Sequence, residues 1–276
     1  MTYSERRTVV GYDGSRSAQA ALEWAAADAV RRGSELLVLH VAEWGGAERT
    51  TEAGLRRIGP LEDASRAVLA DALARIRVIA PQMPVTLQTA LSGISCSLVE
   101  ASHGAEMVVL GAPQALGKAT AAVVARAGCP VVVVSPGVSA EAADLPITVG
   151  YDGSAGAERA LSFAAERAAQ QAVALVVVVA FSAPVSAPAT TEDEGRGLRD
   201  AELLGEVAVA RVRRWCPTVV ARYELAEGTA VPVLARASRS CALVVVGNRG
   251  WSDSGQGGSV GNGLITRSRS ALAVVH

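Results

Sequence analysis

The hexapeptide Val-Gly-Tyr-Asp-Gly-Ser occurs at Val10–Ser15 and again, letter for letter, at Val149–Ser154. The copies lie 139 residues apart in a chain of 276, close to half its length. A repeat at that spacing marks a duplicated domain, because solenoid units recur every ~20–50 residues. Each copy closes a short β-rich run with Asp-Gly-Ser, which combines a turn with a helix-capping residue. The reading is two domains, residues 1–139 and 140–276, each of ordinary size for one hydrophobic core.

Outward from the first copy, Thr8–Tyr12 reads as a strand, and Ala18, Ala21, Leu22, Ala25 and Ala29 recur at helical spacing up to a stop at Gly33. Glu35–Val41 is a second strand. A glycine- and charge-rich loop, Glu43 to Pro60, leads to a helix over Leu61–Ala80. Strands are expected at Val85–Leu91, Met107–Gly111 and Pro130–Ser135, and helices at Ile94–His103 and Ala115–Ala127. The linker Pro136–Pro146 precedes a second round in the same order. Its strands are Ile147–Tyr151, Val173–Phe181, Thr218–Leu225, Ala242–Gly247 and Ala271–Val275. Its helices are Ser154–Gln171, Glu192–Trp215 and Thr229–Ser240, with a weak one after a Gly/Ser loop. Apolar strands alternating with helices predict an α/β fold, a parallel sheet covered on both faces.

Composition narrows the function. A net charge of -1 and a pI near 6.3 give no electrostatic footprint for nucleic acid. Lys118 is the sole lysine, and the arginine doublets Arg31-Arg32 and Arg213-Arg214 fall at expected helix ends. Cys96, Cys129, Cys216 and Cys241 form no CxxC pair and read as reduced thiols of a cytoplasmic protein. The longest apolar run, Ala172–Phe181, is about half of a membrane span, and no export signal is recognised.

The two copies differ most after the fourth strand. In the second copy, Gly247 is followed by a stretch with glycines at 250, 255, 257, 258, 261 and 263. Such a segment lets backbone N–H groups approach phosphate, and the carboxyl ends of strands at a topological switch point are where α/β sheets place ligands. A plain mobile loop has the same composition. For Val-Gly-Tyr-Asp-Gly-Ser, helix capping alone also accounts for the repetition. The first copy reads Gly111–Thr120, GAPQALGKAT, close to a Walker A loop but with a five-residue spacer, Ala119 in place of the magnesium-binding hydroxyl, and Pro113 lacking a donor.

These motifs, with His40-Val41 at the end of strand two and Ala127–Val134 running into the last strand, resemble the universal stress protein family, here in tandem. The resemblance implies two Rossmann-like domains, each a five-stranded parallel sheet in the order 3-2-1-4-5 with helices on both faces. ATP-binding members carry G-x2-G-x9-G-[ST] after strand four. Gly247 and Gly250 fit its start and Gly258-Ser259 its end, with seven residues between Gly250 and Gly258 where the pattern has nine.

By that resemblance Asp152 contacts the nucleoside, the backbone of Ala180 meets adenine, and Gly247, Gly250, Gly258 and Ser259 wrap the phosphates of ATP, with or without magnesium. The first copy keeps Asp13 and Val41 but has Gln114 in place of the second glycine, which implies a domain that has lost its nucleotide. His40, His103 and His276 are scattered, and no catalytic set is visible. The implied role is a cytoplasmic stress-response regulator or sensor with at most slow ATP hydrolysis. The alternatives are a partner-recruiting scaffold and an ATP-dependent enzyme of a related adenine-binding fold, which would need an acid pair for magnesium near Gly247, where Asp253 is the only nearby candidate. The apolar last strands also suggest an internal pseudo-dimer of the two domains and a possible homodimer.

Overall fold

The computed structural model describes residues 7–43, 52, 58–112, 117–138, 144–181, 191–248 and 260–276. The chain divides into two compact units, Met1–Ala140 and Glu141–His276.

In the first unit the elements are β1 (Arg7–Gly11), α1 (Arg16–Arg32), β2 (Glu35–Ala42), α2 (Ile58–Ile79), β3 (Val85–Leu91), α3 (Ile94–Ser102), β4 (Met107–Gly111), α4 (Lys118–Arg126) and β5 (Val131–Val134). The strands are parallel and ordered β3-β2-β1-β4-β5. The second unit follows with β6 (Ile147–Gly150), α5 (Ala155–Gln171), β7 (Leu175–Phe181), α6 (Thr191–Trp215), β8 (Ala221–Glu227), α7 (Ala230–Ala237), β9 (Leu243–Gly247), α8 (Val260–Ile265) and β10 (Ala271–Val275). Its order, β8-β7-β6-β9-β10, is again 3-2-1-4-5 in units of its own strands. Both units are therefore α/β, with the expected topology.

Burial explains the strand sequences. In β4, β5, β9 and β10 nearly every side chain is buried, as expected for strands packed on both faces. The outermost strands β3 and β8 are more exposed, and they carry Thr86, Gln88, Arg222 and Glu224 among their apolar residues.

The boundaries moved where local chemistry outweighed periodicity. α2 starts at Ile58, ahead of the expected Leu61, because Pro60 falls in the first turn, where its missing N–H has no partner to lose. β8 starts at Ala221 rather than Thr218, because the chain first turns, with the Val219 amide donating to the Cys216 carbonyl at 3.0 Å. α7 stops at Ala237; a turn takes the next residues, with Ser240 N–H donating to the Ala237 carbonyl at 3.1 Å. The Pro/Ala/Ser/Thr loop before Thr191 and most of the Glu43–Pro60 loop lie outside the described residues.

A charged cluster lies within the first core. Asp28 is fully buried, and Arg32 Nε donates to its Oδ2 at 2.8 Å while Arg32 Nη2 donates to the Thr8 hydroxyl at 2.8 Å. Glu106 also pairs with Arg32. These bonds tie the last turn of α1 to β1.

Candidate functional site

The duplicated hexapeptide folds the same way twice, down to its hydrogen bonds. Ser15 and Ser154 are the N-caps of α1 and α5, and their hydroxyls accept the amides of Ala18 and Ala157, each at 3.2 Å. One step earlier, Asp13 Oδ1 accepts the Ser15 amide at 2.9 Å and Asp152 Oδ1 accepts the Ser154 amide at 3.0 Å. Between them Gly14 and Gly153 take φ values of 80° and 77°, the left-handed region that a side chain disfavours. The capping account of this motif therefore holds. It leaves each aspartate at the carboxyl end of the first strand of its unit, on the rim of a crevice.

The second crevice has a volume of about 400 Å³ and is lined by Gly150, Asp152, Val178, Ala180, Leu234 and Gly247, among others. Three of the six residues expected to bind nucleotide, Asp152, Ala180 and Gly247, thus come together. Gly250, Gly258 and Ser259 lie outside the described residues.

Ala180 offers its backbone, as strand geometry dictates. Leu175 donates to the Val220 carbonyl at 3.0 Å and the Phe181 carbonyl accepts the Gly228 amide at 2.8 Å, so these residues face β8. Val178 faces the other way: its carbonyl accepts the Tyr151 amide at 3.0 Å. Residues two apart on a strand point the same way, so Ala180 also faces the β6 side, beyond Gly150 where β6 has ended. Its N–H and C=O therefore look into the crevice.

Gly247 has a structural reason of its own. A Cβ there would lie 2.5 Å from the carbonyl carbon of Gly156 in the first turn of α5. Gly111 stands in the same relation to Ser17, at 2.4 Å. In both units the glycine lets the first helix settle on the fourth strand.

Sequence reasoning missed the tyrosine of the repeat. Tyr12 and Tyr151 are buried beside their crevices, and each hydroxyl donates to a carboxylate held by an arginine. The carboxylates come from different elements. Tyr12 meets Asp71 on α2, which accepts Arg75 Nε at 3.0 Å. Tyr151 meets Glu158 on α5, which pairs with Arg211 of α6. Burial, and then the Asp71 hydrogen bond, push the Tyr12 phenol well above its ordinary range; burial is also the main cause at Tyr151. The signal available in sequence was the identical tyrosine with an i,i+4 Asp71–Arg75 pair.

His40 is a positioning group. A carbonyl can only accept, so His40 Nδ1–H donates to the Tyr12 carbonyl at 2.8 Å and steadies the turn. His276 Nδ1 lies 2.9 Å from Asn248 Nδ2, directly after Gly247, and burial lowers its pKa. Among the described residues no cluster of metal-ligating side chains occurs, and no helix is long and apolar enough to cross a membrane.

The first crevice, of about 700 Å³, repeats the second with Gly11, Asp13, Ser15, Leu39, Val41 and Gly111. Gln114 lies outside the described residues.

Comparison with known proteins gives the same duplication. The model of the universal stress protein family matches residues 5–135 and again 145–276. A universal stress protein of Mycobacterium tuberculosis is 33% identical over 96% of this chain and 95% of its own length. A second one from that organism is 28% identical over 88% of this chain and 86% of its own length. Among solved structures, a universal stress protein from Archaeoglobus fulgidus superposes with a TM-score of 0.73, covering 99% of this chain and 97% of that one, at 17% identity.

Proposed function

This chain belongs to the universal stress protein family, and on that premise we propose that it is a stress-response regulator whose second domain binds ATP. The observation that carries the reading is the meeting of Asp152, the backbone of Ala180 and Gly247 in one crevice, at the point where the glycine-rich segment begins. Val178, Val246 and Leu234 supply apolar walls for a flat base. Asp152 keeps a carboxylate at the strand end for ribose hydroxyls, and Ala180 offers one donor and one acceptor to the base edge. Gly250, Gly258 and Ser259 follow in the segment that would enclose the phosphates. These groups bind and orient a nucleotide.

Calorimetry of the whole protein with ATP and ADP tests the reading, beside a Gly250→Ala, Gly258→Ala double variant. Micromolar binding at one site per chain, weakened at least tenfold in the variant, is expected. No heat with millimolar ATP would overturn it and leave the scaffold reading in its place.

A further inference from the structure

Two short segments far apart in sequence meet at the amino ends of β9 and β10. The Ser238 hydroxyl, just past α7, accepts the amide of Arg269, just ahead of β10, at 2.9 Å. That bond sets Arg236 and Arg239 on one segment beside Arg267 and Arg269 on the other. All four arginines are exposed. Among the described residues none of them forms an ion pair.

The first unit builds the same corner without the charge. There the Ser102 hydroxyl accepts the Gly128 amide at 2.8 Å, and the positions matching the four arginines are Glu100, His103, Arg126 and Gly128, all exposed. The scaffold bond therefore needs none of the arginines. A helix end accounts for little more. The carboxyl end of α7 favours a cation at Arg236, but α3 ends the same way in the first unit and carries Glu100 there.

Leu145 adds an apolar contact to the corner. The Ala242 amide donates to the Pro146 carbonyl at 3.0 Å, which brings Leu145, 39% exposed, alongside the segment that carries Arg239. Asp144, exposed next to it, pairs with none of the arginines among the described residues. Guanidinium groups bind carboxylates through two parallel hydrogen bonds, and here that capacity is unused.

The surroundings favour a protein over other polyanions. Residues 228–248 and 260–276 hold no Phe, Tyr or Trp on which bases could stack, and the net charge of -1 gives no field for nucleic acid. A single exposed leucine is too little apolar surface to enter a membrane. An acidic peptide needs only what is present, several cations and one apolar contact.

We infer that this corner of the second unit docks an acidic segment of a partner protein, whose Asp and Glu side chains pair with Arg236, Arg239, Arg267 and Arg269 while an apolar residue rests on Leu145. The surface lies at the amino ends of the strands, opposite the crevice, so the inference stands apart from the nucleotide reading.

The probe is a fluorescein-labelled peptide of alternating Asp and Glu with one central leucine, titrated with the whole protein at low ionic strength. Its fluorescence anisotropy should rise and saturate, and salt should weaken the binding. The double variant Arg239→Gln, Arg267→Gln loses two exposed charge pairs and should bind about fivefold more weakly. The charge-matched double variant Arg66→Gln, Arg126→Gln, in exposed positions of the first unit, should bind as the wild type does. Leu145→Ser, which removes no charge, should weaken binding about twofold. Reversal by Arg239→Glu, Arg267→Glu should reject the peptide and bind its lysine counterpart, a gain that misfolding cannot produce. A labelled oligothymidylate of equal charge should bind more weakly than the acidic peptide.

The inference is overturned if the peptide gives no saturable change, or if both glutamine double variants weaken it alike. It is equally overturned if Leu145→Ser leaves binding unaltered, if the reversed variant does not exchange its preference, or if oligothymidylate binds as tightly through the same arginines.

Discussion

Gly247 and Gly156 pack backbone to backbone: a methyl group on Gly247 would lie 2.5 Å from the Gly156 carbonyl carbon. Contacts that close are not relieved by a rotamer change, because the obstacle is main chain. Gly247→Ala is expected to destabilise the second unit by about 1–3 kcal/mol, the range of overpacking in a dense core. Gly111→Ala should do the same in the first unit. Urea unfolding checks both. Loss of nucleotide affinity in Gly247→Ala would therefore not identify a phosphate contact.

Ala172 occupies the position that Gly33 holds in the first unit, closing its helix with φ 54° and ψ 37°. It is the only described residue other than glycine with positive φ. A left-handed alanine costs about 1–2 kcal/mol relative to glycine, partly offset by the extra chain entropy that glycine brings to the unfolded state. Ala172→Gly should raise stability by about 0.5–1 kcal/mol. An unchanged or lowered urea midpoint would contradict this.

That pair also shows what the sequence could disclose. The helix and the strand after it were legible on either side of Ala172, because apolar spacing and the preceding Asp-Gly-Ser are local signals. Three strands, Val85–Leu91, Met107–Gly111 and Ala271–Val275, fall where apolar runs and flanking turns placed them. The left-handed turn itself was hidden, since alanine carries no mark of it. The Tyr12–Asp71 and Tyr151–Glu158 bonds were hidden for another reason: their partners sit 59 and 7 residues away, on different helices in the two copies. Of the site, the ends of the strands were readable because topology fixes them, and Asp152, Ala180 and Gly247 meet there. The glycine-rich segment after Gly247 lies for the most part outside the described residues.

Burial pushes the Cys129 thiol up to about 12, and Cys241 is raised by the same cause. In the unfolded chain a thiol titrates near 8.5, so the stabilising difference is fully present below that pH. Above it the unfolded state loses its proton first, and stability falls progressively up to the folded value. The urea midpoint should decline from about pH 8.5 upward, less steeply in Cys129→Val. At neutral pH the exposed Cys96 should react with a thiol reagent while Cys129 and Cys241 react only after unfolding. A midpoint flat to pH 10 in the wild type would refute the linkage.

Asp152 has a structural task and a proposed binding task, and one substitution separates them. Its Oδ1 accepts the Ser154 amide at 3.0 Å, a bond that an asparagine carbonyl can also make. Asp152→Asn should therefore keep the turn and the α5 cap, shifting stability by less than about 0.5 kcal/mol. Asp152→Ala removes the acceptor and should cost about 1 kcal/mol, comparable to the loss of a capping bond. If the carboxylate receives ribose hydroxyls, both variants should weaken ATP binding, and by similar factors of roughly ten to a hundred, since a hydrogen bond to a charged acceptor contributes about 1.5–3 kcal/mol. Calorimetry beside urea unfolding reads the two effects independently. Affinity that tracked stability, intact in Asp152→Asn and reduced only in Asp152→Ala, would assign Asp152 to the turn alone and leave Ala180 and the glycine segment as the nucleotide contacts.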